Sequence, residues 1–132
     1  MSCNDAAKSL IEAAKQIRNL SYSPYSQYKV GAAVMSPDGQ LFTGANVENA
    51  SYSLAICAER VAISQLLMAG QSKIEMLAIA CDDAGTPCGA CRQFMSEFGD
   101  DFDVLMFDTS TSRTTLINFA ELFPNAFKLK ME

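Results

Sequence analysis

Alternating helix-like and strand-like runs predict an α/β protein, a three-layer α/β/α sandwich around a mixed five-stranded sheet. Three observations carry that expectation. The chain opens with Ala6, Leu10, Ala14 and Ile17 at helical spacing. Two extended runs then flank Ser36-Pro37-Asp38-Gly39, a turn signal that makes them a hairpin. Finally, the apolar runs 76–80 and 104–107 are separated by a helical stretch, and strand–helix–strand order implies a parallel crossover.

Each element has its own signal. The first helix is expected over residues 5–20, capped by Asn4 or Asp5 and stopped at Ser21-Tyr22-Ser23-Pro24. Val30, Ala32 and Val34 alternate as the first strand, and residues 41–47 form the second. Apolar positions 58, 61, 62, 66 and 69 before Gly70 describe a buried helix with a glycine stop, so Cys57 sits at its entrance. Pro87 is expected to open a third helix running to Gly99. Residues 111–117 suit a short edge strand, and Asn118-x-x-Glu121 resembles a capping box.

Composition narrows the function. At 132 residues and 49% hydrophobic content, the chain suits one domain over 1–132, and a domain of this size buries about two-thirds of its unfolded surface. Its first residues lack the basic start and apolar run of a secretory signal, and no stretch approaches the ~20 apolar residues of a membrane span. The expectation is a cytoplasmic protein without a membrane partner. A net charge of −5 without a basic run argues against nucleic acid and favours a small uncharged substrate. Disulfides rarely persist in a reducing cytosol, so the five cysteines read as metal ligands and buried thiols. Cys81, closing an apolar run, reads as a small core residue, and Cys3 as part of a frayed terminus. There is no histidine, so any metal site must use thiolate or carboxylate.

Cys57-Ala58-Glu59 and the downstream Pro87-Cys88-Gly89-Ala90-Cys91 supply those thiolates beside one carboxylate. Catalytic zinc takes three protein ligands and keeps its fourth position open to water. Cys57, Cys88 and Cys91 leave that position free, and Glu59 is placed to move the protons. C-x-x-C alone is a modest signal shared with redox motifs and zinc knuckles. With Pro87 before it and C-x-E upstream, it matches the signature of zinc deaminases that act on a nucleobase. Both cysteine segments begin helices, where free N–H groups and the positive dipole end stabilise thiolates. Three thiolates on Zn²⁺ sum to −1, a charge that Arg60 and Arg92 could offset by donating to sulfur; the alternative is two ordinary surface arginines. The polar run from Phe42 to Tyr52 reads as a binding loop, in which Asn46 and Glu48 suit sugar hydroxyls, or as a turn with local side-chain bonding.

From about Tyr22 to Phe127 the chain resembles the small, homotetrameric class of zinc-dependent cytidine deaminases. The matching stretches are Pro24-Tyr25-Ser26, Val30-Gly31-Ala32-Ala33, Gly44-Ala45-Asn46-Val47-Glu48-Asn49-Ala50-Ser51-Tyr52, Cys57-Ala58-Glu59-Arg60, Pro87-Cys88-Gly89-Ala90-Cys91-Arg92-Gln93 and Glu121-Leu122-Phe123-Pro124-x-Ala126-Phe127, in the family's order. The resemblance implies one zinc per subunit on Cys57, Cys88 and Cys91, with Glu59 as proton shuttle. It implies substrate contacts from Tyr28, Asn46, Glu48, Ala50, Tyr52 and Ala58, with Asn46 and Glu48 on the ribose, and a Phe127 that reaches a neighbouring subunit's site. Tyr28 stands where phenylalanine is common, so its hydroxyl needs a partner, and Phe123 stands where leucine is usual.

The activity so implied is hydrolysis of cytidine and 2′-deoxycytidine to uridine and 2′-deoxyuridine with release of ammonia, in pyrimidine salvage. Two other readings stay open: a deaminase for a modified or antibiotic aminonucleoside, and a zinc-stabilised structural module without turnover.

Overall fold

The computed structural model describes residues 3–129. Helix α1 (Cys3–Arg18) is followed by β1 (Gly31–Met35) and β2 (Leu41–Ala45), a 3-10 turn at Tyr52–Leu54, α2 (Ala58–Met68) and β3 (Met76–Cys81). A second 3-10 turn at Asp82–Ala84 leads to α3 (Gly89–Ser96), β4 (Asp103–Asp108), β5 (Arg113–Asn118) and the short α4 (Phe119–Leu122). The strands lie in the order β2-β1-β3-β4-β5. Only β3 and β4 run parallel, joined through α3; every other pair is antiparallel. The mixed five-stranded sheet is the one the sequence predicts.

The period-2 alternation of the strands decides which layer each side chain joins. Ala32, Val34, Leu77, Ile79, Cys81, Val104 and Met106 share a core with α2 and α3 residues such as Ile63, Leu66 and Met95. Their neighbours Ala33, Met35, Ala78, Ala80, Leu105 and Phe107 face the other way, onto Ala6, Leu10 and Ala14 of α1. The central strands are therefore buried on both faces, which is why they read as continuous apolar runs.

Two glycines set the distance between layers. A Cβ on Gly31 would stand 2.1 Å from the Ala14 carbonyl oxygen, and one on Gly44 would stand 2.5 Å from the Ala62 nitrogen. Only glycine lets α1 and α2 lie this close to the hairpin.

Several boundaries differ from expectation. Helix α1 begins at Cys3, so Asn4 and Asp5 lie in its first turn rather than at a cap. Strand β2 ends at Ala45, while Val47 makes isolated bridges to Tyr22 and Ile56. Helix α3 starts at Gly89, not Pro87, because Cys88 takes the capping position and its sulfur accepts from the Cys91 N–H at 3.4 Å. It ends at Ser96, three residues before Gly99. Asn118 does cap α4, accepting from the Ala120 N–H at 3.0 Å.

Candidate active site

Strands β3 and β4 are parallel, so their carboxyl ends open at the same edge of the sheet, where ligands of α/β proteins bind. There the entrances of α2 and α3 meet. Cys57 is the N-terminal cap of α2 with extended backbone (φ −72°, ψ 152°), and Cys88 caps α3 in the same way (φ −69°, ψ 170°). Cys91 lies one turn into α3, fully buried. Leaving Cys57 outside the helix lets both its sulfur and the Glu59 carboxylate reach one point, which two positions within a helix could not do.

The three sulfurs lie within 4.8 Å of one another. Cys57 Sγ and Cys88 Sγ are 3.9 Å apart. Tetrahedral zinc with Zn–S bonds of about 2.3 Å sets its sulfurs about 3.8 Å apart, so this cluster fits one zinc ion per chain.

Electrostatics favour a thiolate at Cys57. The Cys57 thiol is pulled down to about 5, chiefly by the hydrogen bond from Cys91, with Arg60 and Cys88 adding to it. Cys91 moves the opposite way, because it gives its hydrogen to Cys57 and is buried. Arg60 Nη2 donates to Cys57 Sγ at 3.6 Å. That is the charge-offsetting contact expected of it, and its Nε is buried without a hydrogen-bond partner among the described residues. Arg92 departs from expectation: its Nε donates to the Pro87 carbonyl at 2.8 Å and its Nη1 to the Leu122 carbonyl at 2.7 Å. It braces the backbone before Cys88 against α4 instead of reaching sulfur.

Glu59 is 5% exposed, in the first turn of α2. Burial pushes its carboxyl up to about 6, with the neighbouring Cys57 charge adding to the rise. A carboxyl that holds its proton until close to neutrality suits a group that must both take and give one.

Cys57, Ala58, Glu59 and Cys88 line a cavity of about 290 Å³. Tyr28, Val30, Asn46, Glu48, Ile79 and Cys81 complete much of its wall. Of the residues singled out in the sequence, Tyr28, Asn46, Glu48 and Ala58 are thus brought to the metal cluster. Ala50 and Tyr52 are not: they line a neighbouring cavity with Tyr25, Ser26, Glu48, Asn49 and Ala55. Phe127 lines neither cavity; the residue is 69% exposed and its carbonyl accepts from Gln93 Nε2 at 3.2 Å. Cys81 is the residue the sequence reading undervalued. It is buried as expected, but it faces the cavity, which its place at the carboxyl end of a strand before the Pro87-Cys88 loop could have signalled.

The loop after β2 is held on both sides. Glu48 N–H donates to the Tyr22 carbonyl at 2.8 Å, and Val47 and Ile56 exchange two hydrogen bonds of 2.9 Å. Asn46 Oδ1 accepts from Val30 N–H at 2.9 Å and Ser21 Oγ at 2.5 Å, and its Nδ2 donates to the Tyr28 carbonyl at 2.9 Å. An asparagine amide has two acceptor sites and two N–H groups, so one N–H is left over. Glu48 Oε1 accepts from Tyr25 N–H at 2.9 Å and Ser26 N–H at 3.1 Å, and Oε2 accepts from the Ser26 hydroxyl. A carboxylate has about four lone-pair sites, so one remains on Oε2. The Ser26 hydroxyl, followed by those amides, holds the Glu48 carboxyl below its ordinary range.

Comparison with known proteins agrees with this geometry. Residues 4–106 match the family model of the cytidine and deoxycytidylate deaminase zinc-binding region. A probable cytidine deaminase of Dictyostelium discoideum is 43% identical over 110 residues, covering 80% of this chain and 74% of that protein. A cytidine deaminase of Halalkalibacterium halodurans is 39% identical over 120 residues, covering 89% of this chain and 91% of its own length. Among solved structures, the cytidine deaminase of Burkholderia pseudomallei superposes with a TM-score of 0.86 at 41% identity, over 96% of this chain and all of that one. The helix entrances, the three-thiol cluster and these likenesses lead to one conclusion: the chain belongs to the family of zinc-binding cytidine and deoxycytidylate deaminases.

Proposed function

We propose that this chain hydrolyses cytidine and 2′-deoxycytidine to uridine and 2′-deoxyuridine with release of ammonia, as a cytoplasmic enzyme of pyrimidine salvage. One observation carries the reading: the buried Glu59 lines a single cavity together with Cys57 and Cys88, whose thiols cluster with that of Cys91. When bound there, zinc supplies Lewis acidity that makes water a nucleophile near neutral pH.

The chain's own residues do the rest. As water adds at C4 of the base, Glu59 takes its proton and passes it to N3. Glu59 then takes the second proton and delivers it to the exocyclic nitrogen, which leaves as ammonia while C4 becomes a carbonyl. Tyr28, Val30 and Ile79 give the base apolar walls. The spare N–H of Asn46 and the spare lone pair of Glu48 together match one sugar hydroxyl, which can accept from the first and donate to the second.

We assign Ala50, Tyr52 and Phe127 to the site of a neighbouring copy, in a homo-oligomer that the resemblance makes a tetramer. In support, Tyr52 is 93% exposed and Tyr25, Leu54 and Phe127 are also largely exposed, which is unusual for such large apolar groups. Among the described residues no helix is long and apolar enough to cross a membrane.

The test is ammonia release from cytidine by the zinc-replete protein. Uridine and ammonia should appear in equal amounts. Zinc-replete protein that leaves cytidine and 2′-deoxycytidine unchanged would remove this reading.

A further inference from the structure

We propose that the Tyr28 hydroxyl is a latch that fixes the aromatic wall of the cavity to the turn after β3, making Tyr28 and Asp83 positioning residues for nucleoside binding. The inference rests on the functional reading above. The hydroxyl has one hydrogen; the Asp82 carbonyl and Asp83 Oδ1 both lie within reach at 2.9 Å, and the Cys81 side chain is a further hydrogen-bonding neighbour. The two oxygens belong to the same turn. It lies at the carboxyl end of β3 and leads through Gly85 and Thr86, two further cavity residues, to Cys88.

That turn has an unusual backbone. Asp83 and Ala84 both lie in the left-handed region, at φ 68° and 51°, a conformation that residues with a Cβ avoid. Such a conformation persists only where its surroundings hold it. Here they do so from several elements. Asp83 N–H donates to Asp108 Oδ1 at 3.2 Å, Thr109 N–H to the Cys81 carbonyl at 3.0 Å, and the Thr109 hydroxyl to the Asp82 carboxylate. Arg18 pairs with Asp82 at 3.3 Å and also donates through Nε to the Lys29 carbonyl at 3.0 Å, tying the residue next to Tyr28 to the same turn.

The turn is thus fixed to α1 and β4, and the hydroxyl passes its position on to the ring. The hydroxyl and the Asp83 carboxylate converge beside Gly85, where a Cβ would touch each at 3.5 Å, an ordinary contact distance. A phenylalanine would keep the ring and its stacking face but would be free to tilt.

Steady-state kinetics on cytidine with Tyr28→Phe, Asp83→Ala, the double variant and Asp83→Asn test this. The net worth of an ordinary hydrogen bond predicts that Tyr28→Phe raises KM about three- to tenfold with kcat changed less than about twofold. Asp83→Ala should give part of that rise, because the Asp82 carbonyl remains. The double variant should be no worse than Tyr28→Phe, since the second change removes a partner already lost. Asp83→Asn, which keeps an acceptor at the same place, should restore a KM close to the parent's. Single effects on KM that multiply in the double variant, or a Tyr28→Phe protein with the parent's KM, would overturn the latch while leaving the deaminase reading intact. A parent protein without turnover would overturn both.

Discussion

The proposed role of Glu59 as both base and acid suits a carboxyl that burial in the first turn of α2 holds at about 6. Glu59→Gln keeps its size and removes proton transfer, so kcat should fall by ~10² to 10⁴ or more while zinc content stays at the parent level. Metal analysis and kinetics on the same sample check this; a fall of less than about tenfold with zinc in place would rule out the shuttle. The thiols divide by geometry. Cys57→Ala, Cys88→Ala and Cys91→Ala should lose zinc on dialysis, whereas Cys81→Ala, outside the cluster, should keep it. These residues were legible in the sequence because C-x-E and P-C-x-x-C fix metal chemistry through short-range spacing. Asn46 was less so. Its three side-chain hydrogen bonds join Ser21, Tyr28 and Val30, partners that only the folded chain brings near, so sequence could not show that most of the side chain's capacity is spent on architecture. Arg92 was misplaced for the same reason, since one of its acceptors is the distant Leu122 carbonyl.

Helix α2 carries two of the site's groups at its entrance, and Gly44 sets how closely it approaches β2. Gly44→Ala forces a methyl group into backbone 2.5 Å away. Overpacking of this kind costs typically about 1–3 kcal/mol, so the variant should melt earlier and, because α2 must shift, bind zinc less tightly. Thermal unfolding and competitive chelation measure the two effects. The Glu48 clamp on the Tyr25–Ser26 loop makes a pH prediction. Its carboxyl is held below the ordinary range when folded, so its contribution to stability is present above the unfolded value of about 4.3 and is lost as pH falls below it. Glu48→Gln should therefore lose less stability than the parent between about pH 5 and 3, read as urea midpoints; parallel curves would show that the clamp contributes nothing. Element type and order were readable from periodicity, and the ends were not. A cysteine capping α3 is the case in point: Pro87 looks like a helix opener, yet with Cys88 at the capping position the helix begins two residues later, at Gly89.

At the scale of the molecule, two helical layers cover the middle of the sheet but not its β5 end, where four of six residues are exposed. With Tyr52 and Phe127 also uncovered, the proposed oligomer predicts that sedimentation will show a single species larger than a monomer, and that Phe127→Ala will raise KM for cytidine. An active monomer, or an unchanged KM in that variant, would refute the in-trans assignment. The metal cluster also has a bearing on the chain as a polymer. Cys57 and Cys88 stand 31 residues apart, and the segment between them contains α2 and β3. An ion that stays on both ends of the unfolded chain would close that segment into a ring, which for a covalent tie of that length is worth about 3–4 kcal/mol in the chain-entropy picture; an ion released on unfolding stabilises instead by mass action. A chelator should therefore lower the urea midpoint of the parent and of Glu59→Gln by the same amount, and leave Cys88→Ala, already an open ring, where it was.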